Sequence, residues 1–173
     1  MSDSTADVPE AQDPELHERL EHLAFLVGRW QGVGVVGYPT IESANYEQEL
    51  SFTHDGRPFL SYSSRTWLID SDGARSRPAA TETGFWRPGK EPRDVEVLLA
   101  HPTGIVEVYV GEVAFTRIDL ATDVVARTET AKQVGGLKRL YGLVEGDLAY
   151  AIDMAAVDQP LQSHLSARLQ RTS

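Results

Sequence analysis

The chain from Gly28 onward consists of short runs in which apolar residues recur at every second position, and turn residues separate the runs. Val95, Val97 and Leu99 share one phase of such a run. A period of two is typical of β-strands that have one buried face. Because the runs follow one another at a spacing of roughly 8–12 residues, they predict an antiparallel meander, sandwich or barrel.

The predicted strands are numerous enough to raise the problem of sheet edges. They are 29–37, 43–53, 59–69, 80–87, 94–101, 104–111, 112–119, 122–132, 137–145, 147–156 and 162–170. A meander of about ten strands has two exposed edges unless it closes into a barrel. We therefore predict an all-β fold, a ten-stranded antiparallel β-barrel. Side chains do not fill a barrel of that width completely, so we expect an internal cavity that holds a small ligand.

The N-terminal part differs from the rest. Residues 1–13 are polar and acidic, and we expect a disordered tail. Asp13 as the N-cap and Pro14 at the first helical position predict a short helix that ends at Gly28. Its apolar stripe consists of Leu16, Leu20, Leu23 and Val27. Nothing resembling a linker divides the remainder, so residues 14–173 are predicted to form a single barrel domain.

Composition excludes several classes of function. The 26 acidic residues exceed the 16 basic ones to give a net charge of −10, which argues against binding to nucleic acid or to an anionic membrane. The absence of cysteine excludes disulfides, thiolate metal sites and thiol nucleophiles. No signal-peptide pattern and no apolar run of about 20 residues is present. We expect a cytoplasmic protein whose partners are small molecules, and leave homodimer formation open.

A G-x-W-x-G-x-G pattern lies where the predicted helix meets the first strand. Its members are Gly28, Trp30, Gly32 and Gly34. Glycines at this spacing let backbones approach closely, and tryptophan can plug the end of a barrel. A structural role is therefore favoured over ligand contact, and lipocalin-like barrels begin with a similar G-x-W.

Several segments together resemble the nitrobindins, small and nearly all-β haem proteins whose ten-stranded barrel is akin to fatty-acid-binding proteins. The segments are Gly28–Gly34, Gly37–Thr40, Gly84–Arg87 and Gln159–Leu169. The resemblance extends over most of the chain, from about Leu23 to Arg171. It implies one haem b per chain, with ferric iron that isomerises peroxynitrite to nitrate and binds nitric oxide. It also implies an enzyme that needs no catalytic residue beyond the haem iron.

The resemblance places the axial haem ligand at His164. The residue types agree, because the chain has no cysteine and only two methionines, which leaves imidazole as the most plausible iron ligand. His17 and His22 lie on the predicted helix, and His54 and His101 lie in predicted turns. Only His164 lies within a predicted strand that could face a cavity.

The phase of His164 is ambiguous. The apolar residues of segment 161–169 are odd-numbered, whereas His164 shares the even phase with Gln162, Ser166 and Arg168. In an ordinary barrel the even positions would face water. If His164 faces solvent, the haem hypothesis fails in this form.

Two further residues are candidates for haem contact. The resemblance suggests Lys138 as a partner for the haem propionates, with Arg139 on the opposite face of the strand; the alternative is a solvated strand end. Thr40 follows Pro39 near a barrel mouth, where its hydroxyl could meet haem. Glutamates such as Glu82 are interpreted as members of solvated strand faces.

Two other functions stay open on the sequence. One is a non-catalytic carrier of a fatty acid or another apolar ligand, which needs the cavity but no metal. The other is a haem carrier that hands its cofactor to an acceptor.

Overall fold

The computed structural model describes residues 13–173, so most of the predicted disordered tail lies outside the described residues. One helix, Glu18–Leu26, precedes ten strands. The strands are β1 (Gly28–Tyr38), β2 (Ile41–Thr53), β3 (Leu60–Ile69), β4 (Arg75–Pro88), β5 (Asp94–His101), β6 (Ile105–Ala114), β7 (Arg117–Arg127), β8 (Val134–Val144), β9 (Asp147–Ala156) and β10 (Gln162–Arg171).

The ten strands form a closed antiparallel barrel, which confirms the predicted fold class. Each strand pairs with its neighbours in the chain, and β1 pairs with β10 to close the ring. Closure leaves no whole strand at a free edge of the sheet. The register of the closing pair places Gly32 opposite Leu169.

The prediction of three strands over 104–132 was wrong, since two long strands, β6 and β7, occupy this region. Gly111 lies within β6 instead of ending it. A Cβ atom there would collide with the backbone carbonyl of Asp119 on β7, so this glycine permits close approach of the two strands. The chain turns instead at the fully exposed Phe115, whose φ is 56°.

The helix is shorter than predicted and is of the 3-10 type. It begins at Glu18, after His17 as N-cap, whose side chain accepts a hydrogen bond from the backbone of Arg19. A 3-10 helix has three residues per turn, so side chains spaced by three lie on one face. The buried residues are accordingly Leu20, Leu23 and Leu26, whereas Leu16 and Val27 are only half-buried.

The two ends of the barrel differ. The helix closes one end, where Trp30 is buried and its indole nitrogen donates to the carbonyl of Leu26 (2.8 Å). Arg19 ties the helix to the β4–β5 turn through the carbonyl of Gly89 (3.0 Å). Alternate hairpin turns lie at the opposite end, which we call the mouth: β1–β2, β3–β4, β5–β6, β7–β8 and β9–β10. No helix of the described residues is long and apolar enough to cross a membrane.

Large aromatic side chains fill much of the interior. The largest of the fully buried residues are Trp30, Trp86, Tyr46, Tyr109, Tyr141 and Phe52. The pocket that Gln48, Tyr150 and Leu165 help to line inside the barrel measures about 60 Å³. Ligand pockets usually measure about 300–1,000 Å³. This part of the interior is therefore not the ligand-sized cavity that the strand number led us to expect.

Candidate functional site

His164 occupies a β-bulge near the mouth. Ser163 pairs with Asp153 on β9, but Leu165 pairs with Ile152, so β10 carries one extra residue between these pairs. A bulge shifts the alternation of side chains between the two faces of a strand. His164 can therefore be half-buried next to the half-buried Leu165, although the two residues have opposite phases in the sequence.

The ring of His164 is held by a backbone group and an aromatic side chain of β1. Its Nδ1 lies 3.0 Å from the carbonyl oxygen of Gly37, and its ring packs edge-on against Tyr38 with 5.4 Å between the centroids. A carbonyl oxygen only accepts hydrogen bonds, so Nδ1 carries the proton. The lone pair then lies on Nε2, which has no hydrogen-bond partner among residues 13–173.

Burial keeps this imidazole neutral. Desolvation lowers the pKa of His164, the contact with Gly37 opposes this effect, and the positive charge of Arg139 adds to it. A neutral imidazole whose second nitrogen donates to a carbonyl is the usual form of histidine as a metal ligand. The residues around His164 therefore fit an axial ligand of haem iron.

Tyr38 fixes the wall behind this imidazole. Its hydroxyl donates to the carbonyl of Met154 (3.0 Å) and accepts from the backbone nitrogen of Ala156 (2.8 Å). These contacts connect the end of β1 to β9 on the far side of β10. The position of the Tyr38 ring beside His164 is consequently set by two strands, β1 and β9.

The other predicted haem contacts are placed differently. Thr40 lies exposed in the β1–β2 turn at the mouth, three residues beyond Gly37. Lys138 is exposed on the outer face of β8, opposite Asp153, while its neighbour Arg139 is buried inside. No hydrogen bond or ion pair of the described residues joins Thr40 or Lys138 to His164, so both haem contacts stay predictions.

A lysine that the sequence interpretation passed over lies at the mouth. Lys132 is exposed in the β7–β8 loop. The carbonyl of the next residue, Gln133, accepts a hydrogen bond from the backbone of Val157 in the β9–β10 loop (3.1 Å). This contact brings the loop of Lys132 beside the loop that leads to His164.

The barrel interior also contains a charged cluster that the sequence interpretation missed. Arg139 forms a two-pronged ion pair with Glu82, at 2.9 and 3.0 Å, and reaches Glu107 at 3.3 Å. Tyr109 donates to Glu107 (2.7 Å) and accepts from Arg139 (2.8 Å). We call Glu82, His101, Glu107 and Arg139 the interior charge cluster.

Two predictions about these residues were wrong. Glu82 is not on a solvated face, since only 15% of its side chain is exposed. His101 is not simply a turn residue, because it is the last residue of β5 and lies 3.2 Å from Glu107. The alternation contained a signal for both outcomes: His101 continues the buried phase of Val97 and Leu99, and Glu82 shares the phase of the buried Trp86.

The alternation in β6 could also have revealed the cluster. Glu107 and Tyr109 are buried, whereas Val106 and Val110 on the other phase are 47% exposed. If the valines were assigned to the inner face, Glu107 and Tyr109 would be placed outside, which is the reverse of the structure. The polar interior is explained by Arg139 on β8, which provides Glu107 with a buried partner that no local pattern reveals.

Burial and ion pairing shift the pKa values of three members of the interior charge cluster. Burial alone would raise the pKa of Glu82, but the charge and hydrogen bonds of Arg139 lower it to about 2. Burial also opposes ionisation of Glu107, whose pKa His101 and Arg139 nevertheless lower. Burial would lower the pKa of His101, but Glu107 and Glu82 raise it above the ordinary value.

Comparison with known proteins identifies the family of the chain. Residues 19–171 match the family model of the THAP4-like, heme-binding beta-barrel domain. A protein of Frankia casuarinae named peroxynitrite isomerase is 57% identical, over 92% of this chain and 88% of its own length. A ferric nitrobindin-like protein of Kineococcus radiotolerans is 48% identical, over 87% of this chain and 92% of its own length.

A solved structure agrees in fold. The crystal structure of Rv2717c from M. tuberculosis superimposes with a TM-score of 0.82 at 40% sequence identity, and the match covers 92% of this chain and all of that one. The matches in sequence and in fold span nearly the whole barrel, which confirms the resemblance to nitrobindins. The chain belongs to the family of THAP4-like heme-binding β-barrel domains.

Proposed function

We propose that this chain binds haem b through Nε2 of His164 and acts as a peroxynitrite isomerase. The observation that carries the proposal is the contact of His164 Nδ1 with the carbonyl of Gly37, which leaves Nε2 free as a lone-pair donor. Relatives named peroxynitrite isomerase at 56–57% identity support the activity. Binding of nitric oxide at the same site is part of the proposal.

Ferric haem, when bound, supplies the iron chemistry of the isomerisation. The chain's own residues hold and orient the cofactor. His164 would provide a nitrogen ligand to the iron through Nε2, while Gly37 fixes the proton on Nδ1 and Tyr38 keeps the ring in place. Because peroxynitrite and nitrate have the same atoms and charge, no protein group has to donate or remove a proton overall.

The interior argues against a carrier of fatty acids. The pocket of about 60 Å³ is too small for a long acyl chain. Arg139 would be the natural partner for a fatty-acid carboxylate, but the carboxylates of Glu82 and Glu107 already occupy its guanidinium. A haem carrier is not disfavoured by these observations.

The first experiment is an absorption titration of haemin into apo-protein. We expect a Soret shift that saturates at one equivalent for wild type, and a lost or strongly altered shift for His164→Ala. The matched control is His22→Ala, since His22 lies at the closed end and its one hydrogen bond within residues 13–173 is to the carbonyl of Asp94. An unchanged titration of His164→Ala would eliminate His164 as the ligand.

Two kinetic measurements on the haem-loaded protein follow. Accelerated peroxynitrite decay with nitrate as product supports the isomerase. Transfer of haem to an apo-acceptor that is faster than peroxynitrite turnover supports the haem carrier instead.

A homodimer is a further part of the proposal. Phe85, Leu98, Val108 and Val124 are cross-strand neighbours in a row on the outer face of β4–β7. Phe85, Leu98 and Val124 are 38–50% exposed, and such an apolar row favours association. Analytical ultracentrifugation of wild type and Leu98→Glu tests the dimer; equal masses at the monomer value contradict it.

A cytoplasmic location is also proposed and rests on the composition.

A further inference from the structure

The interior charge cluster has an unbalanced charge. Glu82 and Glu107 contribute two negative charges, while Arg139 contributes one positive charge. The side chains of Glu107 and Arg139 are only 4% and 3% exposed, so water compensates little of the difference. A buried charge is costly without a partner. One more positive charge would make the cluster neutral.

His101 is the titratable group placed to provide that charge. Its Nε2 lies 3.2 Å from Oε2 of Glu107, and its Nδ1 lies 3.8 Å from Oε2 of Glu82. Nε2 is buried and makes no well-aligned hydrogen bond. The imidazole thus lies between two carboxylates, with 17% of its side chain still exposed for proton exchange.

Three other strands contribute charged groups around His101. From β4 and β6 it meets Glu82 and Glu107, and from β8 the guanidinium of Arg139 opposes its protonation. Tyr62 donates to Glu82 (2.6 Å) and Tyr109 to Glu107 (2.7 Å), so both phenols remain protonated donors in this network. Burial and the guanidinium lower the pKa of His101, but the two carboxylates outweigh them and raise it.

His101 also lies across the barrel from the proposed haem ligand. In the ring of strands, β5 and β10 are five steps apart in either direction, so they stand on opposite walls. His101 is the last residue of β5 before the mouth, and His164 is the third residue of β10 after it. A change of charge on His101 therefore acts across the mouth from His164.

We propose that His101 binds a proton that neutralises the interior charge cluster, and that this proton strengthens the binding of anionic ligands at the haem site. The proposal rests on the proposed function for its second half. With His101 neutral, the cluster has a net charge of −1 and repels an anion. With His101 protonated, the cluster is neutral and this repulsion disappears. His101 would thereby determine how strongly the site prefers anions over neutral ligands.

The expected effect is measurable. A unit charge about 10 Å away, at an effective dielectric constant of about 20, changes the affinity for an anion roughly tenfold. The affinity for an uncharged ligand changes little. Azide and nitric oxide are suitable probes because they bind iron as an anion and as a neutral molecule, respectively.

The first arm of the test uses apo-protein. NMR of the histidine ring nitrogens against pH should show His101 titrating above 6.5, and the Glu107→Gln variant should lower that midpoint. A His101 that titrates at or below 6.5 in wild type overturns the proposal. This arm needs no haem, so it separates failure of the inference from failure of the proposed function.

The second arm measures azide and nitric oxide binding to the haem-loaded protein between pH 5.5 and 8.5, a range chosen to bracket the ordinary histidine pKa of about 6.5. The His101→Gln variant keeps the cluster at a net charge of −1 at every pH. The azide affinity of this variant should therefore be roughly tenfold below that of wild type at low pH and should approach the wild-type value at high pH. Glu107→Gln leaves a neutral cluster at high pH, so its azide affinity there should exceed wild type. His22→Gln is the control, and nitric oxide affinity should be similar in all four proteins.

The outcomes are distinct. Azide profiles of His101→Gln and wild type that coincide overturn the link between His101 and anion binding. Equal losses for azide and nitric oxide indicate general damage to the site and overturn it as well. If haemin does not bind to wild type, the proposed function and the link to anions both fail, and the NMR arm alone decides whether His101 holds the proton.

Discussion

The imidazole Nδ1 of His164 lies 3.0 Å from the carbonyl oxygen of Gly37, on the neighbouring strand of the barrel. This one contact fixes which nitrogen carries the proton and which is free to bind iron. It depends on the bulge in β10, because regular alternation would separate His164 from Leu165 onto opposite faces. The candidate haem site is therefore a consequence of a local irregularity in the barrel.

Tyr38→Phe should weaken haem retention without removing the ligand. The variant keeps the ring beside His164 but loses the hydroxyl contacts with Met154 and Ala156. We expect a loss of about 1–2 kcal/mol in the free energy of unfolding and faster haem transfer to an apo-acceptor. Urea denaturation and stopped-flow transfer measure the two effects. Unchanged values of both would show that the hydroxyl does not fix this wall.

Gly34→Ala should destabilise the barrel. A Cβ atom at Gly34 would meet the carbonyl of Ser166 and lie 2.5 Å from the phenol oxygen of Tyr46. Relief of this overlap moves β1 away from β10, which costs about 1–3 kcal/mol. Gly142→Ala is the control, since its nearest neighbour would be 3.7 Å away. Thermal unfolding compares the two, and equal melting temperatures would contradict the close approach.

Arg139→Met should cost much more stability than loss of a surface arginine. It leaves Glu82 and Glu107 buried without their cation, which costs about 3–5 kcal/mol at neutral pH. Arg168→Met removes ion pairs at a residue whose side chain is 48% exposed, and should cost about 0–1 kcal/mol.

Adding Glu82→Gln to Arg139→Met should recover part of the loss, because one uncompensated charge disappears. Urea denaturation at neutral pH gives all three values. A double variant no more stable than Arg139→Met would argue against electrostatics as the cause.

Acid should destabilise the protein through Glu82. Its pKa of about 2 in the folded protein lies below the ordinary 4.5, so ionised Glu82 favours folding above pH 4.5. This contribution is lost as the pH falls from about 4.5 toward 2, and amounts to on the order of 3 kcal/mol. Calorimetric melting temperatures between pH 5 and 3 measure it. Glu82→Gln should show a flatter decline; a parallel decline would assign the acid sensitivity to other carboxylates.

The sequence by itself determined the class of fold and the family. Alternating apolar residues and frequent turns predict antiparallel strands, and closure into a barrel follows from the need to pair the edges. The G-x-W-x-G-x-G pattern and the segment around His164 were sufficient for the family. These properties are local in the chain, or depend on residue types at fixed spacings, and need no knowledge of which residues meet across the barrel.

Only the tertiary structure decided on which face of β10 His164 lies and that the barrel interior contains charged residues. A single extra residue in β10 changes the phase of the strand, and its presence is visible only in the pairing with β9. Glu82, Glu107 and Arg139 come from three strands, so their ion pairs depend on how the barrel closes. In a single strand, the hydrophobic pattern would assign a glutamate to the outer face. Burial of these glutamates is stable only because an arginine from another strand of the barrel pairs with them.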